Sequence, residues 1–358
     1  MRKLLALVMA AAMGMSILTG CSRQMAELAL ITDSGEVDDG SFNQGAWEGL
    51  VKYAEEKGIS HQSILPAEES ADAYLQSIDT AVENGAKVIV CPGSLFAGPI
   101  ESAASADPDV AFIAIDCALD DAPANAVGIT YAEEQVGFLA GYAAVKEGYT
   151  RLGFLGGQVL DSVVKYGYGF VQGAEYAALQ QGMEAGSVQI TYGYTGDFSE
   201  SPENEAVAAA WYDAGTQVIF ACGGAIGNSV MAAAEAAGTK VIGVDVDQSA
   251  VSDSVIISAT KNLSGAVYDM IESFYNEEFP GGQTLVLDAA SGGVSLTMES
   301  SRMSKFTQKD YDTLYAALAN NTDNITANIV NTPAADGSVS GAGIPLSCVT
   351  VNEVEASV

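Results

Sequence analysis

The chain has 358 residues, with 14 Lys and Arg against 46 Asp and Glu and a formal net charge of -32 at pH 7. A field of that sign repels nucleic acid, nucleotides and other polyanions and favours a neutral or cationic ligand, while part of it keeps an exported protein soluble. A single histidine, His61 in a polar stretch, and five cysteines at spacings that fit no metal motif leave neither a metal centre nor a histidine-dependent triad its parts.

The first predicted element is an export signal. Arg2 and Lys3 form a basic start, Leu4 to Leu18 are almost wholly apolar, and Leu18-Thr19-Gly20-Cys21 follows. The run is shorter than the ~20 residues that span a bilayer core, and it ends in small residues before a cysteine, which resembles a bacterial lipoprotein processing site. Residues 1–20 read as a signal peptide, Cys21 as the residue that carries lipid (palmitate), and 21–26 as a linker. The plainer alternative is a secreted protein in which Cys21 is incidental. Cleavage leaves 358 minus 20, or 338, residues and a charge of -34 with Arg2 and Lys3 gone. At ~100–200 residues per domain that length suggests two domains. Cys91, Cys117, Cys222 and Cys348 read as buried small hydrophobes in preference to disulfides.

From residue 27 an apolar β-branched run, a Gly or acidic turn and an amphipathic stretch recur. The strands predicted are 28–31, 87–91, 111–115 and 126–130, then 152–155, 188–192, 217–222 and 240–244, with helices near 43–57, 71–84, 131–147, 163–182, 202–214 and 226–237. Near-continuous apolar strands indicate sheets covered by helices on both faces. The fold class expected is therefore α/β, with two doubly wound parallel-sheet domains, a hinge and a central cleft lined by strand-exit loops. The run 255–259 reads as a strand after the second unit has closed, with the chain crossing back to the first domain, and 285–287 and 294–296 extend that domain or its hinge. The boundaries expected are 27–130 plus about 250–320 for the N-terminal ligand-binding domain, 131–249 for the C-terminal one, and 321–358 for a tail preceded by a helix near 307–319.

At the first strand exit, Asp33-Ser34-Gly35-Glu36-Val37-Asp38-Asp39-Gly40-Ser41-Phe42-Asn43-Gln44 contains Ser41 and Gln44 at capping-box spacing, so a helix starts near Phe42. Asp38 and Asp39 suit the positive helix terminus, and by spacing alone Phe42 belongs in the core. Gly223-Gly224-Ala225-Ile226-Gly227 lacks the spacing of a dinucleotide loop.

That first loop, continued by Gly45-Ala46-Trp47-Glu48-Gly49, resembles the signature of the basic membrane protein family of substrate-binding lipoproteins. Tyr131 to Gly141, Gly153 to Gly157, Gly196-Asp197-Phe198, Val218 to Gly224, Gly243 to Gln248 and Ser258 to Asn262 resemble the family's later blocks, in order, over about 27–300. The resemblance implies a receptor of an ABC importer, held on the outer face of the membrane by lipid on Cys21, expected as a monomer, with no cofactor, no metal and no catalytic residue. Its ligand would be a nucleoside, purine favoured, or a similar neutral ring solute, passed to the permease. Carried over by motif, Phe42 and Phe198 would sandwich the base, Asn43 and Asp116 would bond its edges, and Asp33, Asp245 and Lys261, with the backbone around Gly224 and Gly227, would hold the sugar.

Four of these residues also have a plainer reading: Asp245 and Lys261 as an interdomain ion pair, Asp116 as a loop cap, Phe198 as a hinge shield. Gly40 stands where many members have lysine, and Gly224-Ala225-Ile226-Gly227-Asn228 departs from the commoner Gly-Thr-Gly form, so riboflavin or another aromatic solute is the alternative cargo. A nucleoside-processing hydrolase is the second alternative, for which Asp38 and Asp39 supply only a superficial carboxylate cluster.

Overall fold

A computed structural model describes residues 25–354; the segment 1–20 predicted as a signal peptide and Cys21 lie outside the described residues. The first sheet contains β1 (Leu28–Ile31), β2 (His61–Ile64), β3 (Val88–Pro92), β4 (Ala111–Ile115), β5 (Ala126–Tyr131) and, from much later in the chain, β11 (Gln283–Leu287). Its order is β11-β5-β4-β3-β1-β2, with every pair parallel. The second contains β6 (Arg151–Gly156), β7 (Val188–Tyr194), β8 (Val218–Cys222), β9 (Lys240–Asp245), β10 (Val255–Lys261), β12 (Val294–Leu296) and β13 (Val349–Glu353), in the order β12-β10-β9-β8-β6-β7-β13. Only the β10–β12 pair is antiparallel among its pairings.

The windings β2-β1-β3-β4-β5 and β7-β6-β8-β9-β10 are the same, so one doubly wound unit occurs twice. The central strands β1, β3, β4 and β8 are buried at every residue, because helices cover both faces. Around the first sheet lie α1 (Phe42–Lys57), α2 (Ala71–Glu83), α3 (Ala97–Ala106) and α8 (Leu263–Tyr275); around the second lie α4 (Glu133–Glu147), α5 (Asp161–Gln180), α6 (Pro202–Asp213) and α7 (Ile226–Ala237). α9 (Gln308–Ala319) and the short α10 (Val339–Ala342) follow.

Helices α4 and α5 pack almost backbone to backbone. A Cβ at Gly141 would lie 2.9 Å from Ala174 N, and one at Gly169 would lie 2.8 Å from Phe138 N; Gly137 and Gly173 are in the same position. Four glycines spaced four apart on the two helices therefore set their separation. Every residue of α4 from Glu133 to Val145 is buried, which explains its lack of a polar face.

The expected return to the first domain at about 250 requires correction, since β10 pairs in parallel with β9 and remains in the second sheet. The apolar run 255–259 is as suited to one sheet as to the other; pairing, which periodicity does not encode, decides. The chain crosses between sheets three times, at Tyr131 to Glu133, at Lys261 to Leu263 and between β11 and β12. These crossings are tied together: Ala132 N donates to Leu287 O at 3.0 Å, Asn262 N to Gly293 O at 2.8 Å, and Ala289 N to Gln135 Oε1 at 3.0 Å. Cys91, Cys117, Cys222 and Cys348 are free and buried. Among the described residues no helix is long and apolar enough to cross a membrane.

Candidate ligand-binding site

In each doubly wound unit the strand order reverses beside the first strand, and loops leaving in opposite directions open a crevice at the carboxyl ends. In the first unit this point lies between the exits of β1 (Asp33, Ser34) and β3 (Gly93, Ser94); in the second, between those of β6 (Leu160, Ser162, Val163) and β8 (Gly223, Gly224). The two crevices share one cavity of about 610 Å³ of empty space, lined also by Asp39, Phe42, Asn43, Asp116, Tyr166, Phe198, Cys222, Asp245 and Lys261.

On the floor, at the second crossing, stands Lys261. Its ammonium donates to Asp116 Oδ2 and has Glu133 Oε1 at 3.6 Å and Asp245 Oδ1 at 3.7 Å. The rings of Phe42 and Tyr166 are each 5.2 Å from Nζ and that of Tyr131 is 5.6 Å away, so its remaining directions face π electrons. Asp116 and Asp245 terminate their strands in the left-handed region, at φ 54° and 64°, which turns both carboxylates inward toward this cation. The lysine is held well above its usual range by Asp116, Asp245 and Glu133, against the opposing effect of burial. Burial pushes Glu133 up to about 8, with Lys261 opposing, and raises Asp245 too. The nearby charge sums to negative, so this floor welcomes hydrogen-bond donors and disfavours anions.

The wall from the first half is built around Asp33 and Asp39. Asp33 accepts from Ser34 N at 2.7 Å, and burial lifts its carboxyl to about 7. It lies against Gly93, where a Cβ would come within 2.9 Å of the Asp33 Cβ; with φ 120° that position requires glycine on both counts. Asp39, not Ser41, caps α1: its carboxylate accepts from Ser41 N at 2.8 Å and from Asn43 N and Gln44 N at 3.0 Å each. The capping box expected from Ser41 and Gln44 is absent, because the Ser41 hydroxyl instead crosses the cleft to donate to Asp245 Oδ2 at 2.7 Å. Gln248 Nε2 makes a second crossing bond to Gly40 O at 2.9 Å.

Two buried oxygens on the lining lack a partner, Asn43 Oδ1 and Asp116 Oδ1. The Asn43 amide nitrogen is committed to Ser34 O at 2.7 Å, which leaves its oxygen as a buried acceptor. Buried acceptors without partners are uncommon in folded proteins.

Phe42 comes from the start of α1 and Phe198 from the loop after β7, so the cavity has an aromatic ring from each half. Phe42 is half-buried: it packs against the core, as its spacing suggested, and also lines the cavity. The Phe198 ring lies over Gly157, where a Cβ would overlap the ring carbons and stand 2.8 Å from Asp197 O. Gly224, at φ 53°, faces Phe198, its would-be Cβ 3.5 Å from Phe198 Cβ and 3.6 Å from Phe198 O.

Of the nine ligand residues carried over by motif, eight line the cavity; Gly227 does not, and sits in the first turn of α7 beside Gln248 and Met231. Sequence reasoning did not assign Ser34, Asp39, Gly93, Ser94, Tyr166, Cys222, Gly223 or the lip residues Leu160, Ser162 and Val163 to the site, nor Glu133 beside Lys261. Asp39 was readable as a helix-terminus acid. Tyr166 lies within α5 and Glu133 opens α4, where only the partner across the crossing reveals their role.

The model of the family described as ABC transporter substrate-binding protein PnrA-like matches residues 26–331. A Lactococcus lactis protein named ABC transporter nucleoside-binding protein BmpA is similar at 29% identity over 293 residues, covering 76% of this chain and 81% of the relative. Basic membrane protein A of Borreliella burgdorferi is 31% identical over 304 residues, covering 83% and 86%. Among solved structures, an ABC transporter solute-binding protein from Aeropyrum pernix superposes with a TM-score of 0.73 at 21% identity, over 82% of this chain and 91% of that one. Lac repressor, at a TM-score of 0.54 and 15% identity, shares the fold alone. The family model and the Lactococcus relative are both described as binding proteins of ABC transporters, so the hydrolase alternative is set aside. With the match spanning nearly all of the described chain, the protein belongs to the PnrA-like family of ABC transporter substrate-binding proteins.

Proposed function

We propose that this chain is the receptor of a nucleoside importer, with a purine nucleoside as its preferred cargo, anchored outside the cytoplasm through lipid on Cys21 and delivering to a permease. The observation that carries the reading is the pairing, on one cavity, of an aromatic ring from each half with two unpartnered acceptor oxygens, Asn43 Oδ1 and Asp116 Oδ1. A nucleobase offers a flat π face and a rim of N–H donors. Stacking contributes about 1–3 kcal/mol per base, and a purine has the larger face. Asp33 and the Asp245 and Lys261 pair supply charged partners for sugar hydroxyls. The name of the Lactococcus relative points to the same ligand class.

Capture proceeds by closure. Ligand is held between Phe42 and Phe198, the halves approach about the three crossings, and Ser41 to Asp245 and Gln248 to Gly40 become the bonds that favour the closed state. Closed, loaded protein is the form a permease would distinguish. Isothermal titration of the mature protein with adenosine, guanosine, inosine, cytidine and riboflavin tests the reading: saturable 1:1 binding with purine nucleosides ahead supports it. Riboflavin ahead would reassign the cargo. Acylation is tested separately by mass spectrometry of membrane-extracted protein and of Cys21→Ser, which should lose the lipid and be released.

A further inference from the structure

The chain beyond residue 331 lies outside the stretch matched by the family. It is nonetheless built into the second half. β13 extends the sheet beyond β7, with Val349 opposite Val188 and Glu353 opposite Tyr192. The buried Glu175 carboxylate of α5 accepts from Ser347 N at 2.9 Å, Cys348 N at 2.9 Å and Val349 N at 2.8 Å. These contacts cover a sheet edge, a role any strand could fill.

The turn at 334–338 does something else. The Tyr168 hydroxyl accepts from Ala334 N at 3.1 Å and donates to Ser338 O at 2.7 Å, while the Tyr194 hydroxyl donates to Gly337 O at 3.0 Å. With its one proton committed there, Tyr194 accepts from the Tyr192 hydroxyl, 2.9 Å away. Gly337 has φ 67°, and a Cβ on it would be 2.9 Å from both the Tyr194 hydroxyl and Val159 Cγ1. Tyr194 in turn lies on Gly156, where a Cβ would meet its ring at 2.6 Å and Val163 Cγ1 at 2.9 Å. The next residue, Gly157, seats the Phe198 ring, and Leu160 and Val163 line the cavity. Thr195 N and Gly196 N donate to Gly156 O and Gly157 O at 2.9 and 3.1 Å, so the lip and the Phe198 loop are joined.

We propose that the C-terminal turn 334–338 is a positioning element of the ligand site, which fixes the Tyr194 ring and the 156–163 lip and through them the place of Phe198. None of its residues touches the cavity; it acts through Tyr194 and Val159. The proposal rests on the reading of Phe198 as one face of the base clamp.

The test is a double-mutant cycle on the mature protein, with guanosine dissociation constants from titration and melting temperatures alongside. Gly337→Ala should weaken binding about threefold to tenfold, and by clearly less on a Phe198→Leu background, because coupled sites are not additive. Tyr194→Phe, which keeps the ring and deletes both hydrogen bonds, should behave in the same direction and serves if the glycine variant fails to fold. An equal loss on both backgrounds, or affinity unchanged in both tail variants, overturns the proposal. If Phe198→Leu itself leaves affinity unchanged, the clamp reading is what has failed.

Discussion

Gly157→Ala isolates the aromatic clamp without altering any group that touches ligand. The new methyl would overlap the Phe198 Cδ1 and Cε1 atoms and stand 2.8 Å from Asp197 O, so the ring must retreat by about 1 Å to restore ordinary carbon contacts. A gap of 0.5–1 Å forfeits roughly a quarter to a half of a dispersion contact. Against a stacking energy of about 1–3 kcal/mol, the upper end of that loss is about 0.5–1.5 kcal/mol, a weakening of roughly 2- to 12-fold. Stability should fall by about 1–3 kcal/mol for overpacking, leaving a folded protein. Titration with guanosine at 25 °C, beside a thermal melt, reads both. A folded variant that binds as tightly as the parent would show that Phe198 does not grip the ligand.

Three further perturbations separate clamp, charge and scaffold. Phe42→Ala should weaken nucleoside binding about 5- to 150-fold by titration while the protein stays folded, since the half-buried residue lines the cavity. Glu133, pushed up to about 8 by burial, holds its proton in the folded state at pH values where an unfolded glutamate has lost it. Its stabilising contribution is therefore full below about 4.5 and disappears as pH rises through about 8. Asp33, raised to about 7, has the same sign. The melting temperature should thus decline from pH 5 to pH 8.5, and Glu133→Gln should flatten that decline; a profile that keeps its slope in the variant contradicts the assignment. Gly141→Ala should cost about 3 kcal/mol in denaturant unfolding, because its Cβ would enter the Phe170 and Ala174 backbone of α5.

Periodicity and turn chemistry made most of the architecture legible. The central strands were predicted to within a residue or two because a doubly covered sheet writes its strands as unbroken apolar runs, as in Ala111 to Ile115. The edge strand β2, His-Gln-Ser-Ile, carries no such pattern and went unpredicted, and β13 is half exposed. α3 and α8 were missed as helices, although α8 packs against α1 through the backbone of Ser264, where Gly49 leaves room. Which sheet β10 joins depends on pairing partners alone. In the site, the residues at strand exits emerged from the motif resemblance. Those acting from inside helices, Glu133 and Tyr166, and the glycines that seat other side chains, Gly93 and Gly157, declare themselves only once the halves face each other. Ser41 shows the converse: its spacing fits a capping box, yet Asp39 takes the cap and frees the hydroxyl to reach Asp245.

The most direct measurement of the central claim is the heat of mixing mature protein with guanosine, repeated with Phe42→Ala and Phe198→Ala. The account predicts one site per chain, and a large loss of affinity from removing either ring. Full-strength binding by either variant would contradict it, as would a parent protein that takes up no nucleoside.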